Sequence, residues 1–210
     1  TGIQSDDPDV QGAITEAGLL VEAAPLDPAT WFELGRRLQA NGFESQAETA
    51  YERVLELQPG HRQATYLKAV VQHRLGRPRV AIQTLGKLSE AEATDAAMER
   101  ALALWYLELG DAVSAEAAAS RVLELEPNSR GGHALLARSF IEGGRPEAAC
   151  AQLKPLIERP IRHSYLDFLY AAALAADGRP AEAQKVMPTT EPTPPLWPDP
   201  HVEATNELVA

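Results

Sequence analysis

Histidine and cysteine are the side chains through which this chain of 210 residues could hold a metal or form a covalent intermediate. Cys150 is the single cysteine, so it has no partner within the chain for a disulfide or a paired-cysteine metal site. The five histidines show no metal-ligand spacing: His61, His73, His133, His163 and His201. No nucleophile elbow and no glycine-rich phosphate loop is present. The sequence therefore predicts no catalytic residue, no metal site and no cofactor, and we expect Cys150 to be a packed residue.

The charge of the chain limits its partners. Nineteen basic residues against 30 acidic ones give a formal net charge of −11 at pH 7, whereas nucleic acids and anionic membrane surfaces select basic faces. The locally basic stretch at residues 74–79 is short and is typical of a solvated turn. No apolar run reaches the roughly 18 residues that a membrane-spanning helix needs. We expect a protein or peptide partner, no nucleic acid and no membrane insertion.

Small residues recur along the chain at a constant interval of 34 residues, in three columns that share one register. The glycine column consists of Gly42, Gly76, Gly110, Gly144 and Gly178. An alanine column consists of Ala47, Ala81, Ala115, Ala149 and Ala183. A mixed column consists of Gly35, Ala69, Ala103, Ala137 and Ala171. A period of this length without insertions indicates stacked helix-turn-helix units.

Each column has a mechanical reason. The column of Gly35 places small side chains on the first helix of a unit, where the second helix crosses closely and a larger group would overpack. The column of Ala47 does the same on the second helix. The column of Gly42 ends the first helix, where a left-handed backbone favours glycine. Pro59 and Pro127 fall just beyond second helices, which proline cannot continue.

The unit resembles the tetratricopeptide repeat (TPR) of bacterial-type TPR proteins. The first unit carries the family pattern at Trp31, Leu34, Gly35, Leu38, Ala47, Tyr51 and Pro59. The second unit departs from it, since Lys68 and Gln72 stand where apolar residues are expected, and its packing is left open. The resemblance implies an all-α fold: a right-handed superhelical α-solenoid of about five units, with an N-terminal half-repeat and a Pro-rich C-terminal tail that ends in a short helix.

The register predicts the division of the chain. Residues 1–27 form an N-terminal cap in register with a second helix, with Ala13, Ala17 and Leu20 on one face; alternatively, an earlier repeat has been cut away. The five predicted units in the range 28–187 are 28–61, 62–95, 96–129, 130–163 and 164–187. Residues 188–210 form a Pro-rich connector and then a helix that starts at Asp199 and Pro200, either a cap or the first helix of a sixth repeat.

Trp197 is the most unusual residue of this tail. It either anchors the tail to a repeat surface, its own or a partner's, or caps the last helix pair as ordinary core, and we favour the cap. The surrounding stretch at residues 195–200 resembles connectors of bacterial extracytoplasmic repeat proteins, which indicates a periplasmic or other extracytoplasmic location but does not settle the compartment.

The resemblance also implies that first helices line a concave groove. Transferred to this sequence, the groove is an apolar and aromatic surface with a few arginines, which suits a peptide with acidic groups. Its predicted residues are Phe32, Arg36, Gln39, Tyr66, Val70, His73, Arg100, Leu104, Leu107, Arg138, Ile141, Tyr165 and Phe168. The two-carboxylate clamp of the chaperone-binding members is absent, because Phe32 and Arg36 stand at the first clamp positions.

The sequence therefore predicts a non-catalytic scaffold that binds a peptide or protein partner on this groove. The alternative is a structural subunit or repeat block of a larger assembly, which the in-register ends of the chain suggest. An enzyme has no support beyond the general observation that one fold hosts many functions. The partner, the pathway and the oligomeric state are left open.

Overall fold

The structure, a computed structural model, describes residues 7–90, 94–159, 163–189, 192 and 199–208. Within these residues it contains twelve α-helices and no strand, so the predicted all-α fold is confirmed. The helices are α1 Pro8–Ala23, α2 Pro28–Ala40, α3 Glu44–Leu57, α4 Arg62–Arg74, α5 Pro78–Glu90, α6 Ala96–Glu108, α7 Ala112–Leu125, α8 Arg130–Glu142, α9 Pro146–Ile157, α10 Ser164–Ala176, α11 Pro180–Val186 and α12 Pro200–Asn206.

The helices form two compact units, each of which contains more than one repeat. From here on, the first unit and the second unit mean these two, and a single 34-residue segment is called a repeat. The first unit contains α1 to α5 together with α12, and the second contains α6 to α11. In the first unit α2 pairs with α3 and α4 pairs with α5, while α1 packs on α2. In the second unit the pairs are α6 with α7, α8 with α9 and α10 with α11. Among the described helices, none combines the length and the apolar composition that crossing a bilayer requires.

The first helices begin at intervals of 34 residues, as the period of the sequence predicted. The first helices α2, α4, α6, α8 and α10 begin at Pro28, Arg62, Ala96, Arg130 and Ser164. A glycine with a left-handed backbone lies in each of the five turns that follow a first helix, with φ between 71° and 79°, as the column of Gly42 predicted. In the column of Ala47, which lies on the second helices, the first four alanines are fully buried: Ala47, Ala81, Ala115 and Ala149.

Gly35 shows why its column holds small residues. A Cβ atom built at Gly35 would lie 2.6 Å from Cε1 of Tyr51, a residue of α3 whose ring is fully buried. The ring of Tyr51 therefore fills the space that a methyl group would take. The other members of the column are alanines and are fully buried, so a methyl group fits at those positions.

The departure in the second repeat is accommodated without a shift of register. Gln72 is buried, but its side-chain nitrogen donates to Glu48 at 2.9 Å and its oxygen accepts from the Thr84 hydroxyl at 2.8 Å. Lys68 forms an ion pair with Glu52 at 3.0 Å. Both polar side chains therefore have partners, which removes the main cost of placing them at apolar positions.

Helix α1 uses a slightly different face from the one predicted. Ile14, Ala17 and Val21 are buried, whereas Leu20 is 45% exposed. The expectation that Leu20 packs like its repeat equivalent, Val54, is therefore wrong, because the buried face of α1 is rotated by one residue toward Val21.

The C-terminal segment contains the largest difference from the prediction. Helix α11 ends at Val186, before Pro188, and α12 begins after Asp199, both as expected. However, α12 packs on α2 and α4, the first helices of the first two repeats. This position differs from the predicted cap or sixth repeat. Trp197 and most of the predicted connector lie outside the described residues.

Candidate functional site

The candidate site is the surface of the first unit on which α12 lies. We name it the α2–α4 face and define it by Phe32, Arg36 and Tyr66, three of the predicted groove residues. Arg36 and Tyr66 each bond to the α12 segment directly. Phe32 supports Arg36, whose guanidinium carbon lies 6.0 Å from the Phe32 ring centroid.

At its N-terminal end, the α12 segment is held through an aspartate. Asp199 is the N-cap, and its Oδ1 accepts from the backbone nitrogens of His201 and Val202 at 3.1 and 3.2 Å. Its other oxygen, Oδ2, accepts from the hydroxyl of Tyr66. The ring of Tyr66 also meets the ring of His201 edge-on, with centroids 5.2 Å apart. Tyr66 is fully buried, whereas Asp199 is half-buried, so the carboxylate is bound at the edge of the core.

At its C-terminal end, α12 is held through a main-chain carbonyl. Nη2 of Arg36 donates to the carbonyl oxygen of Ala204, in the last turn of α12. Carbonyls in this turn lack partners within the helix, and the positive guanidinium suits the negative end of the helix dipole. Thr205 is fully buried, and its hydroxyl bonds back to the carbonyl of His201 at 3.0 Å.

These contacts stabilise a helix that is too short to persist alone. Helix α12 has seven residues, and isolated helices shorter than about 12–15 residues are marginal in water. The α2–α4 face therefore holds a short helix of this chain, with one anchor at each end of the bound segment.

His61 supports this face, and the sequence reading did not assign it a role. Its Nδ1 accepts from the backbone nitrogen of Ala64 at 3.1 Å and so caps α4. Its ring lies 4.7 Å from the ring of Phe32. Burial lowers the pKa of His61 below its usual value, which favours the neutral form that can accept this bond.

Other predicted groove residues of the first unit are placed differently. Gln39 is buried, and its side-chain oxygen accepts from the Tyr51 hydroxyl of α3 at 2.8 Å. It therefore faces the contact between α2 and α3, and the expectation that it is exposed in a groove is wrong. Val70 is also buried, and His73 is half-buried.

In the second unit, the predicted groove residues are distributed over α6, α8 and α10. Arg100 forms an ion pair with Glu126 at 3.0 Å, and Arg138 forms one with Glu142 at 3.2 Å. The buried residues, contrary to the expected exposure, are Leu107 and Tyr165, and the half-buried ones are Leu104, Ile141 and Phe168. The Tyr165 and Phe168 rings stack with centroids 6.4 Å apart.

The described part of the structure also bears on metal binding and on cysteine reactivity. In the described part of the chain, no three His, Cys, Asp or Glu side chains converge in a way that could hold a metal ion. Cys150 is buried in the core of the second unit, and burial raises the pKa of its thiol, which disfavours the reactive thiolate.

The sequence of residues 32–88 matches the family model of the tetratricopeptide repeat. No curated protein matches the chain. Among solved structures, it is similar to YrrB, a TPR protein with an unusual peptide-binding site, at 16% identity and a TM-score of 0.71 over 81% of this chain and 88% of that one. It is also similar to MamA from Desulfovibrio magneticus RS-1, at 21% identity and a TM-score of 0.63 over 72% and 85% of the two chains. A third similar structure is a tetratricopeptide repeat protein from Parabacteroides merdae, at 14% identity and a TM-score of 0.56 over 95% and 77% of the two chains.

Proposed function

We propose that this chain is a non-catalytic scaffold that binds a protein partner, and that the α2–α4 face of the first unit receives a short helix of that partner. The match of residues 32–88 to the tetratricopeptide repeat supports a role in protein binding. The observation that carries this proposal is α12 itself, which lies on the α2–α4 face with both ends bonded to it. YrrB is described as having a peptide-binding site, which agrees with peptide recognition on this fold.

The contacts of α12 define what a partner helix must present. It begins with an aspartate that caps its own helix and accepts from Tyr66, as Asp199 does. A ring two residues later packs against Tyr66, as His201 does. Its last turn ends in a free main-chain carbonyl for Arg36, as at Ala204. The receptor needs little rearrangement, because Tyr66 and Arg36 stand on preformed helices.

In this proposal α12 competes with the partner. A segment tethered to its receptor has a high effective concentration, so it weakens the apparent affinity of any partner that binds the same face. A partner helix therefore binds the α2–α4 face only when it displaces α12. The affinity of the chain for its partner therefore depends on how much more strongly the partner helix binds this face than α12 does.

A labelled synthetic peptide of residues 195–210 tests the proposal by fluorescence anisotropy. In the full chain, Asp199→Ala weakens the internal helix, so this variant is expected to bind the added wild-type peptide more tightly than the wild-type chain does. Adding Arg36→Gln to Asp199→Ala is expected to reduce peptide binding again. Arg138→Gln in the same background is the matched control, because Arg138 occupies the same repeat position in the second unit. Equal binding by the Arg36→Gln and Arg138→Gln chains would contradict the proposal.

The alternative prediction, a structural subunit or repeat block of a larger assembly, is separated by sizing of the full chain. Self-association that persists when α12 is weakened by Asp199→Ala favours the structural role. A monomer that binds the peptide favours the scaffold.

A further inference from the structure

A cavity of about 440 Å³ lies in the second unit, at the start of α8 and of α10. We name it the basic cavity, and it is lined by Asn128, Arg130, His133, Leu156, Arg159, His163 and Leu166. The lining combines two guanidinium groups, two imidazoles and one amide with two leucines, and the described lining contains no carboxylate. The lining is therefore positively charged, whereas the chain as a whole has a net charge of −11.

The two arginines of the basic cavity form no ion pair with the residues that the structure describes. Arg36, Arg37, Arg100, Arg138 and Arg145 illustrate the usual state of an arginine in this chain, since each forms an ion pair with a glutamate. Within the described residues no such pair forms at Arg130 or Arg159, and both side chains are exposed at the cavity. Their hydrogen-bond donors are therefore available to a ligand.

His163 adds an observation of a different kind. It stands at the N-cap position of α10, in the same repeat register as other N-cap residues of first helices. The side chains of Asp27, His61, Asp95 and Ser129 all accept a backbone N–H at this position. His163 makes no such bond, and its Nδ1 is buried with no hydrogen-bond partner among the described residues. A buried nitrogen without a partner is rare in proteins, and the same side chain lines the cavity.

The second histidine of the lining, His133, forms a hydrogen bond with a neighbouring helix. Nδ1 of His133 lies 2.8 Å from the side-chain nitrogen of Gln152, and burial lowers the pKa of His133. The starts of α8 and α10 both adjoin the cavity, through Arg130 and His163, and the positive ends of helix dipoles add to the potential of the arginines.

We propose that the basic cavity binds a phosphate monoester group. Arginine forks and an imidazole N–H match the three acceptor oxygens and the double negative charge of a phosphate better than a carboxylate, which offers two oxygens and one charge. Leu156 and Leu166 give an apolar wall to the carbon part of the ligand. The group belongs either to a phosphorylated side chain of a peptide or to a small phosphorylated compound, because both present the same chemistry.

The experiment is a set of calorimetric titrations of the full chain with inorganic phosphate, with free phosphoserine and with matched peptides that carry phosphoserine, glutamate or serine at the centre. Phosphoserine in either form is expected to bind, and the serine peptide is not. Tighter binding of the phosphopeptide than of free phosphoserine identifies a peptide as the source, and the reverse order identifies a small compound. A glutamate peptide that binds as tightly as the phosphopeptide overturns the assignment to phosphate.

The double variant Arg130→Gln and Arg159→Gln is expected to lose affinity for phosphoserine by about tenfold or more, the effect of losing charge-assisted hydrogen bonds. The matched control is Arg62→Gln with Arg79→Gln, which removes the same charge from two exposed arginines of the first unit. His163→Ala removes one of the two imidazoles of the lining, and it is expected to weaken phosphoserine binding while the far-ultraviolet circular dichroism stays unchanged. An equal loss in the control pair shows only general electrostatics and overturns the site, as does the absence of phosphoserine binding to the wild-type chain.

Discussion

Arg36 and Arg138 occupy the same position of the repeat, one in each compact unit, yet they bind different groups. Arg36 donates to the carbonyl of Ala204 at the end of α12, whereas Arg138 forms an ion pair with Glu142 one turn further along its own helix. The same contrast separates Tyr66 from Arg100, which also share a repeat position. Tyr66 bonds to Asp199 of the tail, while Arg100 pairs with Glu126 near the end of α7.

The difference shows what a repeat does and does not determine. The register decides on which face of a first helix a side chain lies. The residue type at that position, and the carboxylates within reach, decide whether the side chain is used inside the unit or binds another segment. Four predictions rest on these local differences, and they are ordered by the size of the change in stability that we expect.

Replacing Tyr66 gives the largest effect, because its fully buried ring belongs to the core of the first unit and also holds α12. We expect Tyr66→Ala to lower the free energy of unfolding by about 3–5 kcal/mol in denaturant titrations. Phe168→Ala, at the same repeat position in the second unit, removes a half-buried ring and should cost less. Equal losses for the two variants would contradict the contrast.

Adding one methyl group to Gly35 tests the packing under Tyr51. Because the new Cβ would lie 2.6 Å from the buried ring, Gly35→Ala should destabilise the chain by about 1–3 kcal/mol, measured by the shift of the denaturation midpoint. Gly12→Ala is the control, since no atom lies near its Cβ position and the change should stabilise α1 by about 0.5–1 kcal/mol. A neutral Gly35→Ala would show that Tyr51 can move aside.

Removing the N-cap of one helix in each unit compares a docked helix with a packed one. Asp199→Ala should cost about 0.5–2 kcal/mol, seen as faster hydrogen exchange confined to α12. Asp111→Ala removes the cap of α7, whose Ser114 nitrogen lies 3.0 Å from the Asp111 carboxylate, and should cost a similar amount within the second unit. If Asp199→Ala leaves exchange in α12 unchanged, the tail is not held as described.

The smallest effect is a dependence of stability on pH that both units share. Burial lowers the pKa of His61 and of His133 below the ordinary value of 6.5, so the unfolded chain binds more protons between the folded and unfolded pKa values. The stability that the two neutral histidines contribute is present above pH 6.5 and is lost as the pH falls through their folded pKa values. Thermal unfolding should therefore occur at a lower temperature near about pH 5 than near about pH 7.

His61→Asn retains a capping oxygen without the titration, and should therefore reduce this pH dependence while α4 stays capped. A pH dependence that is unchanged in this variant would exclude a contribution from His61.

The sequence was sufficient for the parts of the molecule that depend on the period. The start of every first helix and the left-handed glycines follow from local backbone geometry, and the small residue under Tyr51 follows from the packing of neighbouring helices; both are repeated at a fixed interval. The role of His61 could also have been predicted, since the register aligns it with the N-cap residues Asp27 and Asp95.

The position of α12 could not be predicted in the same way. The helix itself was predictable, because Asp199 and Pro200 form a start signal, but a seven-residue helix carries too short a pattern to select a distant surface. Its contacts with Arg36 and Tyr66 join residues more than 130 positions apart. Gln39 was mispredicted for a different reason. Its position in the repeat predicted exposure in the groove, but a hydrogen bond from Tyr51 holds its side chain between α2 and α3.

Whether the α2–α4 face holds a short helix can be measured by nuclear Overhauser spectroscopy of the full wild-type chain. Because the ring centroids of Tyr66 and His201 lie 5.2 Å apart, we expect cross-peaks between their ring protons, and loss of these cross-peaks in Asp199→Ala. A well-folded chain whose Tyr66 and His201 rings show no cross-peak would contradict this expectation.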